Sequence, residues 1–325
     1  MRNRVHLLSE PEPGPKEILL AEAPPETEFS FGEIEVPEDV RALVGGRPTE
    51  EQLDSLTNLE LLVIPYAGMP AETRDLLLAR PKLRVHNLHH NAVVTAEMAL
   101  ALLLAAAKLV LPMDRALRKN HWSGRGENNP AILLAGKRAL LIGYGAIGRR
   151  LARCLTAADM EVVAVRRTLD KPEKDGEALV HPVKDLHALL PTTTALIVCA
   201  PLTDETRGMI AAPQLALLPE RAVLVNVARG PVVDEESLYR ALESGRIHSA
   251  GLDVWYQYPG RDGDPENTPP SAFPFGDLDN VVLSPHRGGW LHEAEDLRMR
   301  HLAALLTAWA AGDEPPHRVD VAAGY

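Results

Sequence analysis

Apolar positions along this chain recur in two alternating rhythms. Up to about residue 88, short apolar runs at 17–21, 42–44, 61–65 and 84–88 alternate with stretches of helical spacing at 50–56 and 71–78. Short apolar runs read as strands, and their alternation with helices predicts a small α/β domain built on a parallel sheet. Residues 95–119 follow as one long helical pattern, opened by a capping candidate at Asn91 or Thr95 and containing the most apolar block of the chain, 98–111. A stretch rich in Gly, Asn and Pro at 123–130 marks a loop. Strand and helix then alternate again, with strands expected at 139–142, 161–165, 195–199, 222–226, 249–254 and 281–283. Helices are expected at 149–157, 184–190, 211–218 and 235–244, and this alternation predicts a doubly wound sheet. A Pro- and Gly-rich surface excursion occupies 259–275. The last helix, 293–311, carries Leu297, Leu302, Leu305, Leu306 and Trp309 and returns the chain to the first domain.

Composition narrows the picture. At 325 residues the chain is long for one core, so two domains are expected. With 46% hydrophobic and 24% charged residues it has the make-up of a soluble globular protein. A net charge of -11 repels a phosphate backbone, which argues against nucleic acid as a partner. The two cysteines, Cys154 and Cys199, sit in apolar contexts and read as core residues of a protein from a reducing cytoplasm. The N-terminus lacks the apolar stretch of an export signal. The 98–111 block is bounded by Glu97, interrupted by Lys108 and shorter than the ~20 apolar residues of a bilayer crossing, so it reads as a buried helix and no membrane is implied. No His, Cys or Asp spacing suggests a metal site.

The strongest local chemistry is the string ALLIGYGAIGRRLARCL, in which Gly143, Gly145 and Gly148 form a GxGxxG between an apolar strand and a helix. Gly143 permits the tight turn, Gly145 lets the backbone approach a pyrophosphate, and Gly148 allows close helix–strand packing. The amides of Ala146 and Ile147 would face the anion at the helix N-terminus. The next strand ends not in an acid but in Arg166, Arg167 and Thr168. Two guanidiniums and a hydroxyl suit a ribose 2′-phosphate, and no carboxylate is expected to stand ready to repel it, so NADP is expected over NAD, with NAD possible. The alternative is a pair of solvated arginines at a strand end.

A fingerprint in mid-chain, after a complete α/β unit and a long helix, resembles the arrangement of the D-isomer specific 2-hydroxyacid dehydrogenases. The likeness extends through NAVVTAEMALALLLA, CAPLTDETRGMI, LVNVARGPVVDEESLYRAL, GLDVW and SPHRGGW, in the family's order and spacing. The resemblance implies two Rossmann-like, doubly wound parallel-sheet domains, one flavodoxin-like and one dinucleotide-binding, with a cleft between them. The substrate-binding domain is expected over 1–93 and 293–325 and the dinucleotide-binding domain over 94–292. It further implies hydride transfer between NADP(H) and C2 of a small 2-oxo or 2-hydroxy acid of the glyoxylate or hydroxypyruvate type. Arg229 corresponds to the arginine that clamps the substrate carboxylate and polarises its carbonyl, with a structural salt bridge as the alternative role. His286 corresponds to the acid–base histidine. Asp253 corresponds to the aspartate near the nicotinamide carboxamide, and the backbone of Ala67 and Gly68 to the substrate-carboxylate site. Ala200, Pro201, Thr206, Val227, Ala228, His286 and Gly288 complete the implied cofactor contacts. The His89 and His90 pair, lacking a comparable signature, reads as surface or hinge residues.

One position departs from the family pattern. Where most members place a glutamate before a proline after LDV, this chain has Tyr258. A tyrosine hydrogen-bonds but brings no negative charge at neutral pH, so the pKa of His286 is expected to be lower than in glutamate-bearing relatives, unless Asp262, Asp264 or Glu266 substitutes. Gln257 invites comparison with the formate dehydrogenase branch, but the register favours Tyr258. The missing glutamate also leaves room for a dinucleotide-sensing regulator, of the corepressor kind, built on the same fold. The family and the apolar 98–111 helix together imply a homodimer.

Overall fold

The structure, a computed structural model, describes residues 3–32, 39–126, 129–260 and 263–324. It divides into two compact units, residues 1–91 with 290–325, and residues 92–289.

The first unit runs β1 (Asn3–Leu7), α1 (Pro13–Glu22), β2 (Thr27–Phe31), β3 (Ala42–Val44), α2 (Glu50–Ser55), β4 (Leu61–Ile64), α3 (Ala71–Leu78) and β5 (Arg84–Asn87). Its five strands are all parallel, in the order β2-β1-β3-β4-β5. Alternate residues serve opposite faces, as the strand period requires. Val5, Leu7, Ala42, Val44, Leu61 and Val63 pack with Leu19 of α1, whereas Leu43, Leu62, Ile64 and Val85 pack with Leu53 of α2 and Leu77 of α3. Residues 17–21, expected as a strand, lie inside α1. Pro13 supplies a pre-set φ for its first turn, and only Leu19 of the helix is buried. A short apolar run does not separate strand from helix by itself, and here the leucines and alanine follow the helical preference. Strands β1 and β2 were not anticipated; β2, at the sheet edge, has every residue only half-buried and carries no apolar run.

The second unit opens with α4 (Ala92–Ala107) and α5 (Val110–Arg118), which correct the single helix expected over 95–119. The chain bends by 63° between them, at Leu109, whose φ is 51°. Lys108 helps fix the break by donating from Nζ to the Ile132 carbonyl at 2.6 Å. No single helix among the described residues is long and apolar enough to cross a membrane.

There follow β6 (Arg138–Ile142), α6 (Ala146–Ala157), β7 (Glu161–Arg166), β8 (Glu173–Asp175), β9 (Ala178–Pro182), α7 (Leu186–Leu189), β10 (Ala195–Val198), α8 (Ala212–Leu217), β11 (Val223–Asn226), α9 (Glu235–Glu243), β12 (Ser249–Leu252) and β13 (Val281–Leu283). The sheet order is β13-β12-β11-β10-β6-β7-β9-β8, parallel throughout except that β8 runs antiparallel to β9. Leu140, Ile142, Leu196, Val198 and Leu224 face α8 and α9, while Ala139, Leu141, Ile197, Val223 and Val225 face α4 and α6. The helix expected over 184–190 shrinks to the single turn α7. The β8–β9 hairpin, closed at Gly176 with φ 55°, is an addition to the sequence reading. After β6 the chain moves outward to β7 and later returns to place β10 on the other side of β6. The β6/β10 boundary is therefore the topological switch point, where open α/β sheets bind ligands. The chain closes in the first unit with α10 (Ala294–Ala311), whose Leu302, Leu305, Leu306 and Trp309 complete the face lined by Val5 and Leu7.

Candidate active site

At the switch point each fingerprint glycine meets a different constraint. Gly143 has φ 97°, and a Cβ there would lie 2.8 Å from the Ala200 backbone. A Cβ on Gly148 would lie 2.6 Å from the Gly143 carbonyl, so helix and turn touch directly. Gly145 is the reverse: nothing stands within 4 Å of where its Cβ would be, and it precedes α6 without any side-chain cap. The first turn of α6, which includes Ala146 and Ile147, therefore has no side-chain cap. An uncapped helix end beside an open glycine is what a pyrophosphate requires. Cys199 lies behind this turn, donating from Sγ to the Gly143 carbonyl at 3.0 Å; burial pushes its thiol up to about 12, leaving it neutral and unreactive.

Loops at the carboxyl ends of β10, β11 and β12 supply the neighbouring residues. Ala200 and Pro201 follow β10, where the Thr206 hydroxyl donates to the Pro201 carbonyl at 2.7 Å and accepts from the Thr203 amide at 2.8 Å. Thr206 therefore fastens its own loop. Val227 and Ala228 follow β11 and are buried. Asn226 fixes that turn, accepting from the Ala228 amide at 3.0 Å and donating to the Arg229 carbonyl at 3.0 Å. Arg229 continues in extended backbone, and its Nη1 donates to the Ala228 carbonyl at 2.7 Å.

Asp253, 1% exposed at the end of β12, organises the segment that bears the histidine. Its Oδ1 accepts from the Ser284 hydroxyl at 2.5 Å and the Arg287 amide at 3.0 Å, and its Oδ2 from the Gly288 amide at 2.8 Å. A side chain at Gly288 would collide with Oδ2 at 2.5 Å. His286, held between Ser284 and Arg287, adopts a left-handed φ of 54°, a strained conformation for a non-glycine residue. The Ser284 carbonyl accepts from both the His286 amide, at 3.0 Å, and Trp255 Nε1, at 2.8 Å. Burial, with Arg229 as the second cause, holds the His286 imidazole below its ordinary pKa, and Asp253 opposes this only in part. Arg229, Asp253 and His286 thus form one electrostatic neighbourhood.

The Tyr258 ring lies 5.4 Å from that of His286, centroid to centroid, but its hydroxyl accepts from the Trp255 amide at 2.9 Å. Tyr258 meets the histidine through its ring, not through the hydrogen bond a glutamate would offer. Of the proposed substitutes, Asp264 is engaged in its own turn, accepting from the Glu266 amide at 2.8 Å. Glu266 belongs to that turn and is exposed, and Asp262 lies outside the described residues. Among the described residues no carboxylate ion-pairs with His286.

Two expectations need correction. The arginines after β7 do meet carboxylates: Arg166 pairs with Glu173 at 2.6 Å and Asp175 at 3.2 Å, and Arg167 with Glu205 at 3.4 Å. Glu173 and Asp175 come from the β8–β9 hairpin, whose Asp-Gly turn sequence was the available signal, and Glu205 from the loop after β10. Thr168 stays exposed. In the first unit, His89 and His90 are not surface residues, though they directly precede the boundary between the units at residues 91 and 92, as the hinge alternative has it. His90 is 3% exposed, and His89 stacks on His317 with centroids 4.1 Å apart. Ala67 and Gly68 follow β4, with the Ala67 carbonyl accepting from Asn87 Nδ2 at 2.7 Å. Residues not singled out from sequence include Asn226, Ser284 and Trp255; each lies in or beside the quoted motifs, as polar or aromatic groups at strand ends.

Comparison with known proteins agrees with this geometry. Residues 100–288 match the family described as D-isomer specific 2-hydroxyacid dehydrogenase, NAD binding domain. A glyoxylate reductase of Thermococcus litoralis is 35% identical over 231 residues, which cover 70% of this chain and 66% of that protein's length. Among solved structures, a D-isomer specific 2-hydroxyacid dehydrogenase from Xanthobacter autotrophicus Py2 in complex with NADPH and MES is 26% identical. It superposes with a TM-score of 0.81 and coverage of 100% of both chains. An NADPH-dependent glyoxylate/hydroxypyruvate reductase from Sinorhizobium meliloti, in complex with citrate, gives 26% identity and a TM-score of 0.73 over 98% of each chain. With its glycine turn at the switch point and its arginine and histidine after the strands on either side of β12, this chain belongs to the D-isomer specific 2-hydroxyacid dehydrogenase family.

Proposed function

We propose that this protein reduces small 2-oxo acids of the glyoxylate or hydroxypyruvate type, preferring NADP(H) and accepting NAD(H). The observation that carries the reading is the placement of Arg229, Asp253 and His286 after the adjacent strands β11, β12 and β13, with Asp253 accepting from the Arg287 and Gly288 amides beside the histidine. In support, the relatives just described carry names of that chemistry, and two were solved as NADPH-dependent or NADPH-bound proteins.

Gly145, Ala146 and Ile147 would hold the pyrophosphate, and Arg166, Arg167 and Thr168 the ribose end. Ala200, Pro201, Thr206, Val227, Ala228, Asp253 and Gly288 would line the remainder. When bound, the reduced nicotinamide supplies the hydride. The Arg229 guanidinium would bind the substrate carboxylate and stabilise the negative charge growing on the carbonyl oxygen. His286 enters as imidazolium and gives its proton to that oxygen, then leaves neutral; in the reverse direction it takes the proton back. Asp253 and Ser284 hold the histidine segment so that no reorganisation is needed during transfer.

Incubating the protein with NADPH or NADH and a panel of glyoxylate, hydroxypyruvate, pyruvate, bulkier 2-oxo acids and, in reverse, formate tests the proposal. Turnover of at least one 2-oxo acid is expected, and Arg229→Gln should lower kcat/KM by about 10²–10³-fold. Tight dinucleotide binding without turnover of any substrate would point instead to a sensing protein. We also propose a cytoplasmic homodimer. The two free thiols suit a reducing compartment, and Leu104, Val110 and Leu117 of α4 and α5 are exposed by 42%, 47% and 49%.

A further inference from the structure

Three arginines gather where β7 ends and α6 begins its second turn, and each already has a carboxylate. Arg149 donates from Nη2 to Asp175 at 2.7 Å, Arg166 reaches Asp175 at 3.2 Å and Glu173 at 2.6 Å, and Arg167 reaches Glu205 at 3.4 Å. Three guanidiniums face three carboxylates, so the cluster brings no net positive charge to a ligand. Asp175 sits at its centre and is anchored by more than its side chain. The Tyr144 hydroxyl, from the second position of the glycine fingerprint, donates to the Asp175 carbonyl at 2.7 Å, and the Arg149 guanidinium lies over the Tyr144 ring at 5.0 Å. Tyr144 is 4% exposed, and the Asp175 and Arg166 side chains are 22% and 27% exposed. The β8–β9 hairpin is thus docked on the dinucleotide turn with its two acids directed at the residue expected to take a 2′-phosphate. The Arg166 Nε is buried without a partner, so both of its Nη groups, and not the Nε, are committed to the hairpin.

A 2′-phosphate of about two negative charges has to displace these carboxylates from Arg166 or share its donors with them, at the cost of repulsion. A free 2′-hydroxyl meets no such competition and offers a proton to an acid, the interaction that NAD sites use. We infer that Asp175, assisted by Glu173, is a specificity-determining residue for the cofactor: by holding Arg166 in ion pairs it limits discrimination between dinucleotides with and without the 2′-phosphate. This rests on the dinucleotide reading given under the proposed function and deepens it.

Calorimetric titration with 2′,5′-ADP and 5′-AMP tests the inference without turnover. In Asp175→Asn the Kd for 2′,5′-ADP should fall about 3- to 10-fold, the scale of partly exposed ion pairs, while that for 5′-AMP changes less than about twofold. Adding Arg166→Met to Asp175→Asn should abolish the gain. An unchanged Kd, an equal change for both nucleotides, or weaker 2′,5′-ADP binding overturns the proposal. Should Asp175→Asn fail to fold because Arg149 loses its partner, Glu173→Gln must shift 2′,5′-ADP binding in the same direction, and no shift there is equally fatal. Wild-type protein that binds neither nucleotide would overturn the dinucleotide reading itself, a result distinct from binding that Asp175→Asn leaves unaltered.

Discussion

At the scale of single residues, the chemistry turns on how the surroundings of His286 set its proton. Its pKa is lowered first by burial, then by the Arg229 charge, with Asp253 compensating in part. In the proposed reaction the imidazolium serves reduction, so kcat/KM for reduction should fall as pH rises through a midpoint below the 6.5 of an ordinary histidine, and oxidation should rise through the same midpoint. Tyr258 sits beside the ring without a charge of its own. Replacing it with glutamate places an anion there, favours the imidazolium and should move the alkaline limb upward by about one pH unit or more. pH profiles of kcat/KM for wild type and Tyr258→Glu decide the matter, since superimposable alkaline limbs would mean that position 258 does not act on the histidine. The missing glutamate implies only a pKa below that of glutamate-bearing relatives; the shift below the ordinary value comes first from burial and then from Arg229, a property of the folded loops that no local string displays.

At the scale of elements, the β6–turn–α6 unit separates two uses of glycine that look identical in sequence. Gly143 is required by the fold, with φ 97° and the Ala200 backbone 2.8 Å from any Cβ. Gly145 is not required by the fold, since the protein itself leaves that space open, and the proposed dinucleotide would be what restricts it. Gly143→Ala should therefore lower unfolding free energy by about 2 kcal/mol or more, measured by urea denaturation. Gly145→Ala should leave the denaturation curve in place and weaken NADPH binding about tenfold or more, read from NADPH fluorescence; a destabilised but normally binding Gly145→Ala protein would contradict this division. The elements best read from sequence were those with a full local pattern, such as α3, whose span of 71–78 was anticipated, and β13 at 281–283. Where pattern and packing conflicted, the reading failed. The run at 17–21 is apolar because α1 covers the sheet, β2 is an edge strand with no apolar signature, and the α4–α5 bend depends on a left-handed Leu109. The glycine turn, Arg229 and His286 were legible because short strings place them at strand ends. The carboxylates facing Arg166 were not, because they arrive from a hairpin whose three-residue first strand, Glu-Lys-Asp, is entirely charged.

At the scale of the molecule, ionisable histidines are distributed unevenly, and the first unit carries the larger acid liability. His89 and His90 are both lowered to about 4, in each case chiefly by burial; His317 and His301 add to the effect on His89, and Arg298, His301 and His89 to that on His90. His86, His301 and His317, in the same unit, are lowered as well. His86 ties β5 to the C-terminal segment by a 2.9 Å contact from Nδ1 to the Pro316 carbonyl; its Nε2 lies 3.8 Å from Glu314 Oε1, and neither this Nε2 nor the buried Nδ1 of His90 has a hydrogen-bond partner among the described residues. In an unfolded chain these imidazoles take up protons near 6.5, but in the folded unit His89 and His90 do so only near 4. The unfolded state therefore binds more protons between those values, and native stability, complete above about 6.5, is lost progressively as pH falls toward 4. At pH 5.5, above the range in which ordinary carboxylates titrate, each such histidine should already cost roughly 1 kcal/mol. Urea denaturation at pH 7.5 and 5.5 should show a lower midpoint at the acid value. His90→Gln, which cannot charge, should reduce the difference between the two midpoints even if its own stability at pH 7.5 is lower. Equal differences in wild type and variant would mean that His90 takes up its proton in the folded protein as readily as in the unfolded chain, and that its burial between β5 and α10 imposes no electrostatic cost.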